Sequence, residues 1–568
     1  MNTWLETVSL HRGVLALLLA LTVQPVCAAG SDEDYVYKIN PGDTLIGLTG
    51  RLLNTPDDWP KVARHNRLPN PNYLLPGAAL RIPFALLKVT QVMLTVTHVE
   101  GDVKAIAATQ AQSSVLALGA TLAEGAQVVT GKNGYVTLKL QDGSTVRVQA
   151  NTQVQVERMR TYAGVGLLES AMKLIAGRVE SLVQKFRPGD KRQIRHGINT
   201  PLANLAVRGT EFRVTMDAQS NQTRGEVLEG VVAVAADKID KSDKSGKSEK
   251  RLTAGFGSVV DSAKSVAEPT ALLAAPDMTR LPKLQERIVL RFALPLLDGV
   301  RAYRAQVARD AAFNSVLAEL VSPSSDLRVA DIADGSYFLR VRAIDARGLE
   351  GRDAIHAFIL KARPEPPLVS APAAKGKVRA AEVEFKWAEN TEAATYHLQI
   401  AKDATFKDLA YEEPGVKGPQ TVVGKLALGE YFWRVASLRK DGDHGPYGDI
   451  ANFILLSPPA QPEPPQLGDA SVTFRWAGEP GQKFEFQLAD DSMFTKSIFT
   501  RTLDKSEIVV PRPKPGAYFM RYRATDADGF VGPYSSVQTF SVPLPPSCVT
   551  DSEGHCISAT HGIVGPLR

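Results

Sequence analysis

The C-terminal half of the chain repeats one pattern three times, and this repetition constrains the fold more than any other feature. The segments YRAQVARDAAF, YHLQIAKDATF and FEFQLADDSMF precede GSYFLRVRAID, GEYFWRVASLR and GAYFMRYRATD, respectively. Gln306, Gln399 and Gln487 mark the same position in the three copies, at a spacing of about 90 residues. Apolar and polar residues alternate along these segments, which is typical of β-strands. A unit of this length predicts a seven-stranded β-sandwich.

Aromatic residues recur at fixed places in the copies. One stands in an early strand, and a tyrosine follows a repeated glycine: Phe292, Trp387, Trp476, and Tyr337, Tyr431, Tyr518. With these residues the copies resemble fibronectin type III domains, over residues 267–363, 366–457 and 464–543. The resemblance implies structural tyrosines whose hydroxyls bond to nearby backbone at a corner. The tryptophans could instead form an aromatic stripe for sugar binding, but packing in the core is favoured.

Two proline-rich joints separate the copies. Residues 363–367 read RPEPP and residues 457–465 read SPPAQPEPP. Such joints predict semi-rigid spacers between neighbouring sandwiches.

The middle of the chain shows a two-residue period. In GKNGYVTLKLQDGSTVRVQANTQVQVE, valines and leucines alternate with polar residues, and breaks occur at Asn133-Gly134 and Asp142-Gly143. These dipeptides accept the positive φ angles of tight hairpins. The pattern predicts a meander of short antiparallel strands.

Four blocks in this region resemble the FecR domain over residues 92–262. They are VEGDVKA, GAQVVTGKNGYVTLKLQDGSTVRV, NTPLANLAVRGTEFRV and VLEGVVAV. FecR proteins are periplasmic parts of transmembrane signalling that controls iron-siderophore uptake. Those regulators carry a cytoplasmic segment and a membrane helix before this domain. Here a predicted signal peptide and the small module described below precede it instead, which argues against an anti-sigma role. Arg208 could meet a partner's carboxylate, although pairing within its own domain is the commoner use of a turn arginine.

Residues 34–84 have the pattern of a small β-α-α-β module. Residues 36–39 predict a strand, and Asp43 or Thr44 predicts the start of a helix with Leu45, Leu48 and Leu52 on one face. Asp57 and Asp58 precede a second helix with Trp59, Val62 and Ala63. Pro76-Gly77 then turns the chain into a last strand, over residues 79–82.

The blocks YKINPGDTLIGL, WPKVARHNRL and YLLPGAALRIP resemble a LysM module. The resemblance implies binding of peptidoglycan or another N-acetylglucosamine-containing glycan in a shallow groove between two loops. By position, the groove comprises Gly42, Asp43, Thr44 and Leu45 on one side and Asn72, Tyr73, Leu74, Leu75 and Pro76 on the other. Acetamido groups need backbone or amide hydrogen bonds, and apolar sugar faces need Leu, Tyr or Pro surface. Ile46 departs from the family, where many sequences have an aromatic residue.

The two ends of the chain indicate export. Residues 1–28 are predicted to be a cleaved signal peptide. The alternative is a membrane anchor, but the apolar run GVLALLLALTV is only about half the length of a membrane-spanning helix. Residues 544–568 form a tail in which Cys548 and Cys556 predict a possible disulfide. His555 and His561 could instead complete a metal set there, but the spacing fits no usual zinc pattern. We expect a periplasmic protein, with outer-membrane association possible.

The net charge and the motifs in the sequence reduce the number of function classes to consider. The formal net charge of +5 is too small to indicate nucleic-acid binding, and the charged run at residues 237–251 predicts a solvated loop. The chain contains no HExxH, GxSxG, GxxxxGK[ST] or CxxC motif, so we expect no enzyme and no cofactor, and predict no catalytic or metal-binding residues.

The sequence thus predicts a multidomain, mainly β protein that anchors to peptidoglycan through the LysM-like module. The FecR-like and fibronectin-like modules would then be presented to an unidentified envelope protein. The alternatives are a FecR-type envelope sensor or signalling component, a cell-wall hydrolase built from distant carboxylates, and a surface adhesin.

Overall fold

A computed structural model describes residues 34–108, 112–162, 166–184, 193–207, 209–236, 249–329, 332–544, 549–550 and 556–557. The chain divides into two compact units, Met1–Gln285 with Val289–Leu360 and Glu286–Ile288 with Lys361–Arg568. Strands dominate both units, which confirms the predicted mainly β, multidomain class. In these ranges no helix has the length and apolar character needed to span a bilayer.

The first unit begins with the predicted β-α-α-β module. Strands β1 (Asp34–Lys38) and β2 (Ala79–Pro83) pair antiparallel, and helices α1 (Leu45–Leu52) and α2 (Trp59–His65) lie between them in sequence. Short 3₁₀ helices cover Pro56–Asp58 and Phe84–Leu86. Strand β1 starts two residues earlier than predicted. Ile39, predicted as its last residue, belongs to the following loop, where its amide and carbonyl bond to residues just before β2.

The β-rich domain that follows is a closed arrangement of eighteen described strands. The strands are β3 (Val89–Gln91), β4 (Leu94–Glu100), β5 (Val103–Ile106), β6 (Ser113–Val115), β7 (Thr121–Leu122), β8 (Gln127–Thr130), β9 (Tyr135–Lys139), β10 (Thr145–Val148), β11 (Gln153–Tyr162), β12 (Leu167–Leu182), β13 (Gln193–Asn199), β14 (Ala203–Val207), β15 (Glu211–Asp217), β16 (Gln222–Glu229), β17 (Val231–Ala236), β18 (Glu249–Thr253), β19 (Phe256–Val260) and β20 (Thr270–Ala271). Valines and leucines on alternate positions fill one continuous core.

The structure corrects two expectations for this domain. The strands do not form a purely antiparallel meander, because β12 pairs in parallel with β13 and β4 pairs with the distant β9. Gly143 has the expected positive φ of +90°, but Gly134 is needed for a different reason. A Cβ on Gly134 would lie 2.2 Å from the carbonyl oxygen of Asp102, so the close approach of two chain segments requires glycine there.

The first repeat completes the first unit as a sandwich with seven described strands in two sheets. Its strands are β21 (Leu284–Gln285), β22 (Leu290–Ala293), β23 (Ala302–Ala308), β24 (Val316–Ser322), β25 (Asp326–Val329), β26 (Gly335–Ile344) and β27 (Ala354–Leu360). One sheet has the order β21-β27-β26-β23-β24 and the other pairs β22 with β25.

The second unit contains the other two repeats. The second repeat has strands β28 (Val369–Ala371), β29 (Gly376–Arg379), β30 (Glu382–Trp387), β31 (Thr395–Ala401), β32 (Leu409–Val416), β33 (Gln420–Gly424), β34 (Gly429–Leu438), β35 (His444–Tyr447) and β36 (Ala451–Leu456). The third has β37 (Gln466–Leu467), β38 (Ser471–Arg475), β39 (Lys483–Ala489), β40 (Ser497–Leu503), β41 (Glu507–Pro511), β42 (Gly516–Thr525), β43 (Val531–Tyr534) and β44 (Gln538–Val542). The tail adds the pair β45 (Val549–Thr550) and β46 (Cys556–Ile557). These repeats therefore exceed the predicted seven strands by short edge strands.

The repeated aromatic residues are structural, as predicted. The hydroxyls of Tyr337, Tyr431 and Tyr518 donate to the carbonyl oxygens four residues earlier, at 2.8, 2.7 and 2.8 Å. The early-strand aromatics are buried in the cores of their sandwiches: Phe292, Trp387 and Trp476. The side chains of these tryptophans are therefore not available to form a sugar-binding stripe.

Candidate functional site

Two loops of the N-terminal module meet beside the β1–β2 sheet. The amide of Ile39 donates to the carbonyl of Ala78 at 3.0 Å, and the amide of Gly77 donates to the carbonyl of Ile39 at 2.8 Å. The loop after β1 therefore lies against the loop before β2. Gly42 lies in the first loop with φ +87°, and a Cβ there would meet no atom within 4 Å. The residues predicted to bind glycan therefore lie on or next to two adjoining loops: Gly42, Asp43, Thr44, Leu45, and Asn72, Tyr73, Leu74, Leu75, Pro76.

Asp43 and Thr44 hold the first loop in place. Oδ2 of Asp43 accepts hydrogen bonds from the Asn40 amide and the Tyr37 hydroxyl, both at 2.8 Å. These two bonds lower the pKa of Asp43 below its ordinary value. Thr44 caps α1, and its hydroxyl accepts from the Gly47 amide at 3.1 Å. Of the two predicted caps, Thr44 is therefore the correct one, and Asp43 stabilises the loop itself.

Exposed apolar side chains lie on or next to both loops. Ile46 on the first turn of α1 is 64% exposed, and Tyr73 and Leu75 in the second loop are 67% and 62% exposed. Asn72 and Pro76 are exposed as well. Such a surface offers apolar contact for a sugar face and an amide for an acetamido group. Leu45 and Leu74 are buried in the module's core, so at these two positions only the backbone is left to contact a ligand.

Three predicted functional residues fall outside this description. Arg208 and Cys548 lie outside the described residues, and so does the side chain of Cys556. The signal-peptide prediction for residues 1–28 and the predicted tail histidines, His555 and His561, lie outside them too.

The module is joined to the β-rich domain by an aromatic contact. Tyr162 and Leu167, at the end of β11 and the start of β12, belong to the module's core. The rings of Phe84 and Tyr162 meet edge to face, with centroids 5.3 Å apart. Strand β12 thus starts at the N-terminal module.

The far end of β12 lies in a buried network of charges between the β-rich domain and the first sandwich. Glu180 accepts hydrogen bonds from Arg147 at 3.0 Å and from two nitrogens of Arg340 at 3.2 Å, and it forms an ion pair with Arg342 at 2.7 Å. Burial would raise the pKa of Glu180, but the three guanidinium groups hold it well below its ordinary value. Glu180 is therefore a buried anion that links the two domains.

Other carboxylates of the first sandwich complete this network. Arg178 on β12 lies 2.5 Å from Glu319 and 3.4 Å from Glu350. Arg213 on β15 lies 3.3 Å from Asp353 and donates to the backbone carbonyls of residues 350 and 351 at 2.9 and 2.7 Å. Close to it, the Arg340 guanidinium stacks over the Phe313 ring at 4.3 Å. These ion pairs and hydrogen bonds thus connect the β-rich domain to the first sandwich.

Glu226 on β16 is the exception in this network. Its Oε1 accepts from the Glu350 amide at 3.2 Å, but its Oε2 has no hydrogen-bond partner and lies 3.9 Å from Arg213. Burial, together with the negative charge of Glu350, raises the pKa of Glu226 to about 7 although Arg213 opposes the shift. Glu226 therefore titrates near neutral pH inside a contact between domains.

An open cleft of about 730 Å³ lies elsewhere on the β-rich domain. Its lining is mainly polar and comprises Gln91, Glu124, Gly125, Gln155, Val156, Glu157, Arg158 and Asn199. Glu124 is fixed by Arg160 at 2.5 and 3.0 Å, and Asn199 donates to Glu157 at 2.5 Å. The cleft therefore presents ordered carboxylates and amides on a rigid β framework.

The charge network and the cleft are features that sequence reasoning missed. The alternation in β26 places Arg340 and Arg342 on the face opposite the buried Leu339 and Val341, and a charged face usually meets solvent. A pair of arginines at alternate strand positions was a weak signal, because the third repeat has such a pair too, Arg521 and Arg523, while the second repeat has only Arg434 there.

Comparisons with known proteins concern the β-rich domain and the repeats. A family model described as FecR protein matches residues 126–233. No curated protein matches the chain. A crystal structure of a candidate anti-sigma factor from Parabacteroides distasonis is 17% identical and covers 26% of this chain, with a TM-score of 0.20. The match spans 59% of that protein.

A crystal structure of the FN1–FN3 domains of chicken CNTN1 is 14% identical and covers 48% of this chain and 99% of that one, also with a TM-score of 0.20. Scores this low carry no conclusion from either structure. The chain thus contains a FecR domain at residues 126–233, and this family is associated with the cell envelope.

Proposed function

We propose that the protein is a non-enzymatic component of cell-envelope signalling that acts through its FecR domain. The observation that carries the proposal is the family match over residues 126–233, which spans β8 to β16, the first part of β17, and five of the eight residues that line the polar cleft. The partner would be an envelope protein that contacts this domain, and no nucleic acid is involved. The protein would be exported and periplasmic, with association with the outer membrane as the alternative.

The continuity of β12 supports a signalling role. Its first residue, Leu167, packs in the core of the N-terminal module, and Glu180 near its other end is held by arginines of the first sandwich. A strand rises about 3.3 Å per residue, so these residues lie roughly 40 Å apart along the chain. Close-packed contacts at both ends can pass a displacement of one domain to the other.

Site-specific photo-crosslinking in cells tests the signalling proposal. A photoreactive residue replaces Gln155 in the cleft, and a matched control replaces Lys104, an exposed residue on β5 of the same domain. We expect an envelope protein to crosslink at position 155 and not at position 104, and mass spectrometry identifies it. Equal yields from both positions, or no product at position 155, would contradict the proposal.

A second candidate function is attachment to glycan through the N-terminal module. It is favoured by the exposed Ile46, Tyr73 and Leu75 beside two loops that hydrogen bonds hold together. The ligand would be peptidoglycan or another glycan that contains N-acetylglucosamine. A single shallow site predicts weak binding, with Kd between about micromolar and millimolar.

Co-sedimentation with purified sacculi tests attachment. Tyr73→Ala with Leu75→Ala should reduce the bound fraction severalfold, whereas Val36→Ala, an exposed apolar residue on β1 of the same module, should leave it unchanged. The supernatant is assayed for released sugar. Undiminished binding of the double variant would refute attachment through these loops, and release of muropeptides would identify a hydrolase instead.

A further inference from the structure

Two histidines and a tyrosine converge on one sheet of the second sandwich. His397 lies on β31, and His444 and Tyr447 are the end residues of β35. Nδ1 of His397 is 3.0 Å from Nε2 of His444 and 2.9 Å from the Tyr447 hydroxyl. The His397 side chain is mostly buried, while His444 is exposed, so the cluster opens to solvent on one side.

The other nitrogen of each imidazole is already committed as a donor. Nε2 of His397 lies 2.9 Å from Oε1 of Glu412, and Nδ1 of His444 lies 2.6 Å from the carbonyl oxygen of Gly445. A carboxylate and a carbonyl oxygen only accept hydrogen bonds, so both of these nitrogens carry the proton. In the neutral imidazoles, the two nitrogens that face each other therefore present lone pairs.

Two lone pairs at 3.0 Å repel each other unless a proton or a metal ion lies between them. The Tyr447 hydroxyl, 2.9 Å from Nδ1 of His397, can donate to that nitrogen, which leaves the lone pair on Nε2 of His444. Nitrogen ligands sit about 2.0–2.1 Å from such ions, so two ligands at right angles in a tetragonal site are about 2.9 Å apart, whereas two ligands of a tetrahedral zinc ion are about 3.3 Å apart. The observed separation of 3.0 Å fits two neighbouring ligands of one tetragonal metal ion such as copper(II), and it also fits a single N–H···N hydrogen bond; titration with the metal distinguishes the two.

We propose that the second sandwich binds a divalent transition metal ion through Nδ1 of His397 and Nε2 of His444. Imidazole ligands suit copper, zinc and nickel. Glu412 and the Gly445 carbonyl serve as the outer partners that orient metal-binding histidines. The Tyr447 hydroxyl lies beside the ion, and water completes the coordination.

The equivalent positions in the other repeats do not provide these ligands. Strand alignment places Arg304, Glu350 and Asp353 there in the first sandwich, and Glu485, Val531 and Tyr534 in the third. In the first sandwich, these residues belong to the charge network. The metal site is therefore a property of the second repeat alone among the three.

The number and type of ligands that the protein supplies determine how tightly the site binds a metal ion. No group of three or more His, Cys, Asp or Glu side chains in the described ranges is arranged to hold a metal ion, so the protein supplies two imidazoles here. The Arg434 guanidinium also stacks over the Tyr447 ring at 4.0 Å, and its charge opposes a second cation. We expect an exchangeable ion rather than a permanently bound one.

Titration of the tag-free full chain with copper(II) sulfate tests the site. Isothermal calorimetry gives the affinity, and electron paramagnetic resonance reports the number of nitrogen ligands. We expect one ion with two imidazole nitrogens, and affinity at least about tenfold weaker in His397→Ala and in His444→Gln. His98→Ala is the matched control, because His98 is an exposed histidine on β4 outside the second sandwich.

His444 is exposed, so His444→Gln should fold normally, and circular dichroism checks this. The resonance spectrum of the wild-type chain gives a readout that does not depend on any variant. A wild-type chain without a two-nitrogen copper signal, or folded variants that bind as tightly as wild type, would overturn the proposal.

Discussion

Glu180→Gln is the substitution that most sharply tests how the first unit is held together. Glu180 has a 9% exposed side chain and binds three guanidinium groups, those of Arg147, Arg340 and Arg342. Glutamine has nearly the same size but no charge, and its amide group would face donors. The substitution therefore leaves three buried cations short of one anion.

The expected cost follows from measurements on buried ion pairs. Removing one partner of such a pair destabilises a protein by about 3–5 kcal/mol, because the remaining charge is left uncompensated. An exposed pair contributes only about 0–1 kcal/mol. Glu268→Gln is the matched control in the same unit, since Glu268 is 86% exposed and pairs with Lys250.

Hydrogen exchange followed by mass spectrometry of the intact chain measures this cost locally. Peptides from β26, which carries Arg340 and Arg342, should exchange about 100-fold faster or more in Glu180→Gln, since about 1.4 kcal/mol corresponds to a factor of ten. Peptides from β34 in the second unit provide the internal reference. If β26 exchanges less than tenfold faster than in wild type, or no faster than in Glu268→Gln, the network does not hold the two domains together.

Three further predictions rest on other contacts. The folded-state pKa of Glu226 is raised to about 7 from 4.5, so the folded protein binds an extra proton between these two pH values. Its free energy of unfolding should therefore fall as pH rises through this range. Urea unfolding at several pH values should show this slope in wild type and not in Glu226→Gln. Tyr431→Phe should cost the second sandwich about 0.5–1.5 kcal/mol in thermal unfolding because the Ala427 carbonyl loses its donor, while Tyr73→Phe, at an exposed position, should cost nothing measurable. Thr44→Ala should destabilise the N-terminal module by about 1 kcal/mol through loss of the α1 cap, seen as faster exchange of the Gly47 amide; equal exchange rates would show that Thr44 is not the cap.

Local patterns in the sequence were sufficient for much of the fold. The alternation of apolar residues and the fixed spacing of Tyr337, Tyr431 and Tyr518 predicted sandwiches with hydrogen-bonded corners, because these features depend on residues four positions apart. The fold of the small N-terminal module was predictable as well, because the Thr44 cap and the buried leucines of α1 belong to one helix. Its predicted groove residues do lie on two adjoining loops, although burial removes the side chains of Leu45 and Leu74 from it.

Contacts between distant segments were not predictable in the same way. Arg178 and Glu319 are 141 positions apart in sequence, and only the docking of one domain on another brings them within 2.5 Å. The same holds for the parallel pairing of β12 with β13 and for the close approach at Gly134. The facing nitrogens of His397 and His444 likewise depend on strand register across 47 positions.

The most direct test of the central claim, that the FecR domain signals, is to measure transcripts in cells whose own copy of the gene carries Glu157→Ala with Asn199→Ala. These residues bond to each other in the cleft, and Lys104→Ala on the same domain is the matched control. Immunoblots of envelope fractions establish that each variant accumulates as wild type does. The account predicts that the cleft variant changes a restricted set of transcripts while the control changes none. Identical transcript levels in all three strains, with the proteins present in equal amounts, would contradict it.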